Sequence, residues 1–248
     1  PAGRSFFTSI GKAIAAFEQG RVLDPLILQF GRLYTAYREQ GFAHYYGEKT
    51  AESSLRKTLE RQFDELLGGR VERDGEREYL ITQDDRKVPL SAMSSGQQEL
   101  LPLATILPWL MRIREERICY IEEPEAHLFP KAQSQLIETL VSSVSANTNA
   151  NLVLTTHSPY VLTKINNLLQ AGALSRRLSE DKKKALDSIV SRRAWLTARN
   201  VSAYALRDGK TESILESDGL ISADYLDEVS SEMSTEFGRL LELEESLD

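Results

Sequence analysis

Residues 118–130 read Ile118-Cys119-Tyr120-Ile121-Glu122-Glu123-Pro124-Glu125-Ala126-His127-Leu128-Phe129-Pro130, and this stretch decides the fold. Four apolar residues followed at once by two carboxylates and a proline describe a short buried strand that stops abruptly. In α/β proteins ligands collect at the carboxyl ends of parallel strands, so Glu122 and Glu123 stand where chemistry is done. Successive strand residues point to opposite sides, and the two carboxylates need not share a job. One can hold a hydrated magnesium ion while the other faces an attacking water; a solvated strand end is the plain alternative. Glu125 and His127 lie close by, but their spacing matches no common zinc pattern.

The pattern repeats on both sides of this stretch. Downstream, Lys131–Val144 has an amphipathic helical period. Leu152–Thr156 is a second apolar strand, which delivers His157 to the same sheet edge before a helix from Pro159 to about Leu169. A structural histidine is the competing explanation of His157, and His44 carries no motif at all. Upstream, Lys87–Ala92 is a short strand, and Met93-Ser94-Ser95-Gly96-Gln97-Gln98-Glu99 opens a long apolar helix running to Arg114, interrupted by Pro102 and Pro108. Unpaired N–H groups and the positive end of the dipole make such a Ser-Gly helix start suited to a phosphate. An ordinary Ser-capped helix is the alternative. Short apolar strands alternating with helices predict an α/β fold with a mostly parallel sheet.

The first third is expected to be helical. Asp24-Pro25 looks like an N-cap followed by proline at the first helical position, with Leu26, Leu28, Phe30, Leu33, Tyr34 and Tyr37 at helical spacing. Thr50 is the expected cap of a second helix carrying Leu55, Leu59, Phe63, Leu66 and Leu67, ended by Gly68-Gly69. A hairpin, Arg70–Arg73 and Arg77–Thr82, turns at Asp74-Gly75. Residues 1–86 thus read as a helical lid or arm with a β-hairpin, and residues 87–248 as the lobe carrying the motifs. Beyond that lie a basic stretch over 171–193, two strands (Val201–Arg207 and Thr211–Leu215) joined at Asp208-Gly209, and an acidic helix from about Ala223 to Glu245. That last helix has Leu226, Val229, Met233, Phe237, Leu240 and Leu241 on one stripe, for which packing on the parent domain is expected and a partner helix is the alternative.

Composition narrows the class. The 248 residues are 41% hydrophobic and 27% charged, which excludes a disordered tail or a collagen-like fibre. The net charge of -7 is concentrated in residues 221–248, which hold nine acidic side chains and one Arg. The preceding residues are nearly neutral, so the overall balance says little about a nucleic-acid partner. One cysteine, Cys119, excludes an intrachain disulfide and sits in an apolar strand, where a structural role is expected. No run approaches the roughly 20 apolar residues of a membrane span, and no secretory signal opens the chain; the expected compartment is cytoplasmic.

Taken together, the three motifs point at one phosphate-bearing ligand, and here the sequence resembles the ATP-binding-cassette type of AAA family ATPase, in the branch of RecF, SMC and OLD-like proteins. Ser94-Ser95-Gly96-Gln97 looks like the signature loop. Glu122-Glu123-Pro124-Glu125-Ala126-His127-Leu128-Phe129-Pro130 looks like Walker B running into the D-loop, and Thr156-His157-Ser158-Pro159 like the switch histidine. The resemblance covers residues 90–170 well and is general over residues 1–86. It implies the C-terminal lobe of a cassette-type P-loop ATPase, with ATP and Mg2+ as ligands at an interface between two subunits. It further implies Glu122 on the metal, Glu123 as the base, His157 on the γ-phosphate, and Ser94, Ser95, Gly96 and Gln97 on the nucleotide. DNA repair or anti-phage defence, and a DNA partner, are family-level expectations of the same kind.

Two departures stand out. Glu122 occupies the first Walker B position, where most cassette ATPases have Asp. More consequentially, no G-x-x-x-x-G-K-[ST] phosphate loop occurs in the sequence. Asp208-Gly209-Lys210-Thr211 has Tyr204 where the first glycine belongs, and Gly11-Lys12 is followed by Ala13. The expectation is the C-terminal half of an ATPase whose Walker A comes from a further segment or a second chain, inactive by itself. Two other classes compete. One is an ATP-independent structural or regulatory module derived from such an ATPase. The other is an OLD-like nuclease, although no strand-end Glu followed by an Asp-x-Asp strand, as a TOPRIM domain requires, follows Pro159. The DNA expectation has one local support, the run Arg176, Arg177, Lys182, Lys183, Lys184, Arg192 and Arg193.

Overall fold

Asp24 begins the first long helix as its spacing predicts: its carboxylate accepts the Leu26 N–H at 2.8 Å, and Pro25 occupies the first turn, where a missing N–H costs nothing. The computed structural model describes residues 3–10, 17, 23–44, 51–74, 77–110, 115–145, 149–222 and 234–240. Thr50, Gly75, Gly11-Lys12 and most of the acidic C-terminal stripe lie outside them. The chain divides into two compact units, Pro1–Thr156 and His157–Asp248.

In the first unit the order is α1 (Ser5–Ile10), α2 (Pro25–His44), α3 (Ala51–Leu67), β1 (Gly69–Asp74), β2 (Arg77–Thr82), β3 (Lys87–Pro89), α4 (Ser95–Leu110), β4 (Arg117–Glu122), α5 (Pro130–Ser145) and β5 (Ala150–Thr155). Helix α4 is the apolar hub, with α1, α2 and α3 packed on it. Phe7 of α1, Tyr34 of α2 and Ile106 of α4 form one buried cluster, while Leu59, Phe63 and Leu67 bury the apolar stripe of α3. Gly68, at φ +72°, turns the chain out of α3 into β1. β1 and β2 form the expected hairpin, in register from Gly69 opposite Thr82 to Asp74 opposite Arg77.

Two expectations need correction here. Only Lys87–Pro89 of the predicted strand 87–92 is extended, and it pairs antiparallel with β2, completing a three-stranded antiparallel sheet rather than joining a parallel one. Leu90–Ala92 coils into a 3-10 turn that buries Leu90. The parallel pairing is between β4 and β5, in register from Arg117 with Ala150 to Glu122 with Thr155. The chain is therefore α/β with a small parallel sheet, but β4 is buried on one side only. Cys119 and Ile121 face the interior, whereas Ile118 is 56% and Tyr120 70% exposed. An unbroken apolar run does not distinguish one covered face from two. Burial pushes the Cys119 thiol up from its ordinary value, against the opposing charge of Arg117, which suits a packing role.

The second unit begins at His157. Ser158 caps α6 (Pro159–Ser175) by accepting the Tyr160 N–H at 3.2 Å, again with proline in the first turn. Helix α7 (Glu180–Ile189) follows, burying Leu186, and Trp195 donates its indole N–H to the Val190 carbonyl at 2.8 Å. β6 (Tyr204–Arg207) and β7 (Lys210–Ser213) form a separate antiparallel pair. Their connection has Asp208 at φ +52° and Gly209 at φ +72°, the two left-handed residues of a tight hairpin turn, so Asp208-Gly209-Lys210-Thr211 is a turn running into β7 and not a phosphate loop. Residues 234–240 are helical with Phe237 and Leu240 exposed, so these two do not pack as the stripe predicted. Among the described residues no helix is long and apolar enough to cross a membrane.

Candidate nucleotide site

Ser94 and Gln97 form a reciprocal cap at the start of α4. The Gln97 N–H donates to the Ser94 hydroxyl at 3.3 Å, and the Ser94 N–H donates to the Gln97 side-chain carbonyl at 2.9 Å. The other end of the Gln97 amide donates to the Leu67 carbonyl at 2.7 Å, joining the start of α4 to the end of α3. Ser94 and Ser95 are exposed, while Gly96 is buried. A Cβ built on Gly96 would stand 2.7 Å from the His127 carbonyl oxygen and 3.0 Å from the Leu128 Cδ2. The glycine is therefore required by the close approach of α4 to the loop that follows β4.

That loop begins at the two carboxylates. Glu122 is exposed and lies on the open face of β4, with Tyr120 and opposite Thr155. Glu123 is half-buried, and its N–H donates to the Thr155 carbonyl at 3.0 Å, the last rung between the strands. Its φ of +41° is a conformation that L-residues adopt at a cost of about 1–2 kcal/mol, and His127 shares it at +61°. The Ala126 N–H donates to the Glu123 carbonyl and the Leu128 N–H to the Glu125 carbonyl, both at 3.0 Å, folding the loop tightly. Glu125 is buried and accepts a hydrogen bond from the Thr156 hydroxyl, which ties this loop to the end of β5.

Sequence reasoning missed Arg4 and the use of Glu99. Each is 1% exposed, and with Glu125 they are the buried charged side chains among the described residues. The N–H groups of Arg4 and Ser5 donate to the two oxygens of the Glu99 carboxylate at 2.8 and 3.1 Å. The Arg4 guanidinium donates from Nε to the Glu99 carbonyl at 3.2 Å, from Nη1 to the Glu122 carbonyl at 2.7 Å and from Nη2 to the Glu123 carbonyl at 3.0 Å. Burial depresses its pKa, opposed by Glu99, Glu125, Glu123 and Glu122 in that order. A charge on the apolar stripe of a buried helix, as Glu99 is between Gln98 and Leu100-Leu101, was the available signal, because buried charges are found with partners.

Within the first unit Gly96 packs against His127 and Leu128 of the loop that follows Glu122 and Glu123. His157 belongs to the second unit, where it is exposed two residues before α6. Among the described residues no cluster of three or more His, Cys, Asp or Glu could cage a metal. A single exposed carboxylate at a strand end fits magnesium of the nucleotide-bound kind, which keeps several waters and takes its other oxygens from phosphate.

Residues 42–162 match the family model for the AAA ATPase domain. This stretch is similar to an AAA ATPase domain. It spans α3, the antiparallel sheet, α4, the β4–β5 pair and the start of α6, so every residue singled out from the motifs falls inside it. A solved structure from work on ATP-driven dimerization and DNA-stimulated activation of SMC ATPases is similar at 14% identity and a TM-score of 0.40, covering 73% of this chain and 94% of that one. No curated protein matches the chain significantly.

Proposed function

We propose that the ATPase domain supplies one half of an ATP-hydrolysing site of the RecF/SMC-like cassette kind, closed between two copies, with the phosphate loop coming from a further segment or chain. The observation that carries this reading is the close approach of Gly96, in the first turn of the helix that Ser94 caps, to His127 and Leu128 in the loop after Glu122 and Glu123. That contact joins the helix start to the segment that follows the paired carboxylates.

Glu123 takes the role of general base, orienting water for in-line attack on the γ-phosphate. Glu122 holds the metal's water shell, and His157 contacts the γ-phosphate and registers its loss. Ser94, Ser95 and Gly96 offer hydroxyl and backbone N–H donors to the γ-phosphate of the nucleotide on the opposite copy, with Gln97 holding that turn in shape. Magnesium, when bound, offsets charge on the β- and γ-phosphates. Such catalysis is positioning and charge stabilisation more than covalent chemistry.

Glu123→Gln tests the reading in the assembly that includes the phosphate loop. Turnover falls at least ~100-fold while ATP-dependent dimerisation persists; hydrolysis at the wild-type rate refutes the assignment. An ATP-independent module, favoured by the missing phosphate loop, predicts no effect of that substitution on any activity. DNA contact is proposed at Arg176, Arg177, Lys182, Lys183, Lys184, Arg192 and Arg193. It requires duplex binding that weakens with salt and is lost on their reversal to Glu.

A further inference from the structure

The guanidinium of Arg4 makes three main-chain contacts with three different carbonyls, and two of those carbonyls flank the residue assigned as base. We propose that Arg4 is a positioning residue: it fixes the peptide groups on either side of the Glu123 side chain and, through Glu99, ties them to the helix that starts at Ser94. The proposal rests on the reading that Glu123 acts on ATP, and it adds a residue 119 positions away in sequence.

The direction in which a side chain leaves the backbone is set by the two peptide planes that meet at its Cα. At Glu123 the preceding plane carries the Glu122 carbonyl and the following plane carries its own, and Arg4 binds both, at 2.7 and 3.0 Å. The residue between them has φ +41°, a conformation an L-residue holds only when its surroundings impose it. The planar five-donor fork of arginine reaches two carbonyls at once with fixed spacing; a lysine ammonium cannot reproduce that geometry.

The other half of the device lies on α4. Glu99 sits one turn beyond Ser95, and its carboxylate holds the N–H groups of Arg4 and Ser5 while its carbonyl takes the guanidinium Nε. The Thr8 hydroxyl adds a bond to the Gln98 carbonyl at 3.0 Å. A displacement of the start of α4 would therefore be passed through Glu99 and Arg4 to the Glu123 peptide. The path runs through buried hydrogen bonds between Arg4 and Glu99 and part-buried ones from Arg4 to the Glu122 and Glu123 carbonyls.

Arg4→Lys keeps the charge and most of the volume and removes the fork, and Glu99→Gln keeps an acceptor while removing the charge. Hydrogen exchange on the full chain reads the clamp without nucleotide. In Arg4→Lys the Ala126 and Leu128 amides exchange about 10-fold faster or more, the equivalent of one hydrogen bond, while amides of the β1–β2 hairpin keep their wild-type rates. In the ATPase assembly the same variant lowers kcat about 30- to 100-fold and leaves the Kd for ATP within about 3-fold, the signature of a misplaced group rather than a lost ligand contact. Unchanged exchange over residues 123–128 overturns the proposal. So does faster exchange spread evenly over the chain, with kcat and thermal stability falling together, because that describes a fold support alone. Local loosening with unaltered kcat overturns it as well. If the wild-type assembly shows no turnover, the ATPase reading fails, and the exchange experiment alone decides whether Arg4 clamps the strand end.

Discussion

Replacing Gly96 by alanine separates a glycine needed for packing from one needed only for nucleotide. The new methyl would stand 3.0 Å from the Leu128 Cδ2 and 2.7 Å from the His127 carbonyl oxygen. Carbon atoms prefer about 3.5–4.0 Å, so the loop after β4 must retreat by at least ~0.5 Å. That loop is braced by the bonds of Ala126 and Leu128 and by His127 at a positive φ, which leaves it little room to yield. Overpacking of this kind costs about 1–3 kcal/mol, and alanine returns up to ~1 kcal/mol through helix propensity. The net loss is about 1–2 kcal/mol, which for a chain of this size lowers Tm by roughly 2–8 °C. Thermal unfolding of the nucleotide-free chain measures it, with urea unfolding to confirm a shifted midpoint at constant m. A Tm equal to or above wild type refutes the close approach and leaves Gly96 without a packing role.

Gln97→Ala removes the side-chain half of the reciprocal cap and the tie to Leu67 together, while the backbone N–H still reaches Ser94, and should cost about 1–2 kcal/mol in urea unfolding; a loss indistinguishable from zero contradicts the described bonding. Asp64 is pushed from 3.8 up to about 6, chiefly by burial and next by neighbouring Glu60. Its folded pKa exceeds its unfolded one, so the associated stability is complete below about pH 4 and is lost as pH rises through 6. Asp64→Asn should therefore be more stable than wild type at pH 7 by about 1 kcal/mol, a figure reduced for partial solvent screening. The advantage shrinks towards pH 4, and a difference independent of pH in urea titrations would sink the argument.

Local signals were legible where a short-range rule has one outcome. Asp24-Pro25, Ser158-Pro159 and Asp208-Gly209 fixed two helix starts and one hairpin, because caps and left-handed turns depend on adjacent residues. The parallel pairing of Ile118–Glu122 with Leu152–Thr155 followed from two apolar runs with a helix between them. What failed depended on distant partners. Lys87–Pro89 has the composition of any short strand, and its choice of β2 over the parallel sheet is a matter of tertiary pairing. The open face at Ile118 and Tyr120 could not be read from a continuous apolar run, since burial on one side already accounts for Cys119 and Ile121. Arg4 lay outside any motif. Its partners are 95 to 119 residues away, and only the unusual Glu99 on an apolar helix hinted that a buried cation existed.

The central claim is that this chain carries the signature and acidic half of an ATP site and needs the phosphate loop from elsewhere. Calorimetric titration of the purified 248-residue chain with Mg-ATP, with phosphate release followed in the same sample, tests it most directly. The account predicts binding weaker than about 1 mM and no turnover, because the phosphate loop supplies most of the grip on the phosphates. Micromolar binding accompanied by hydrolysis would contradict it and would mean that the chain holds a complete phosphate site.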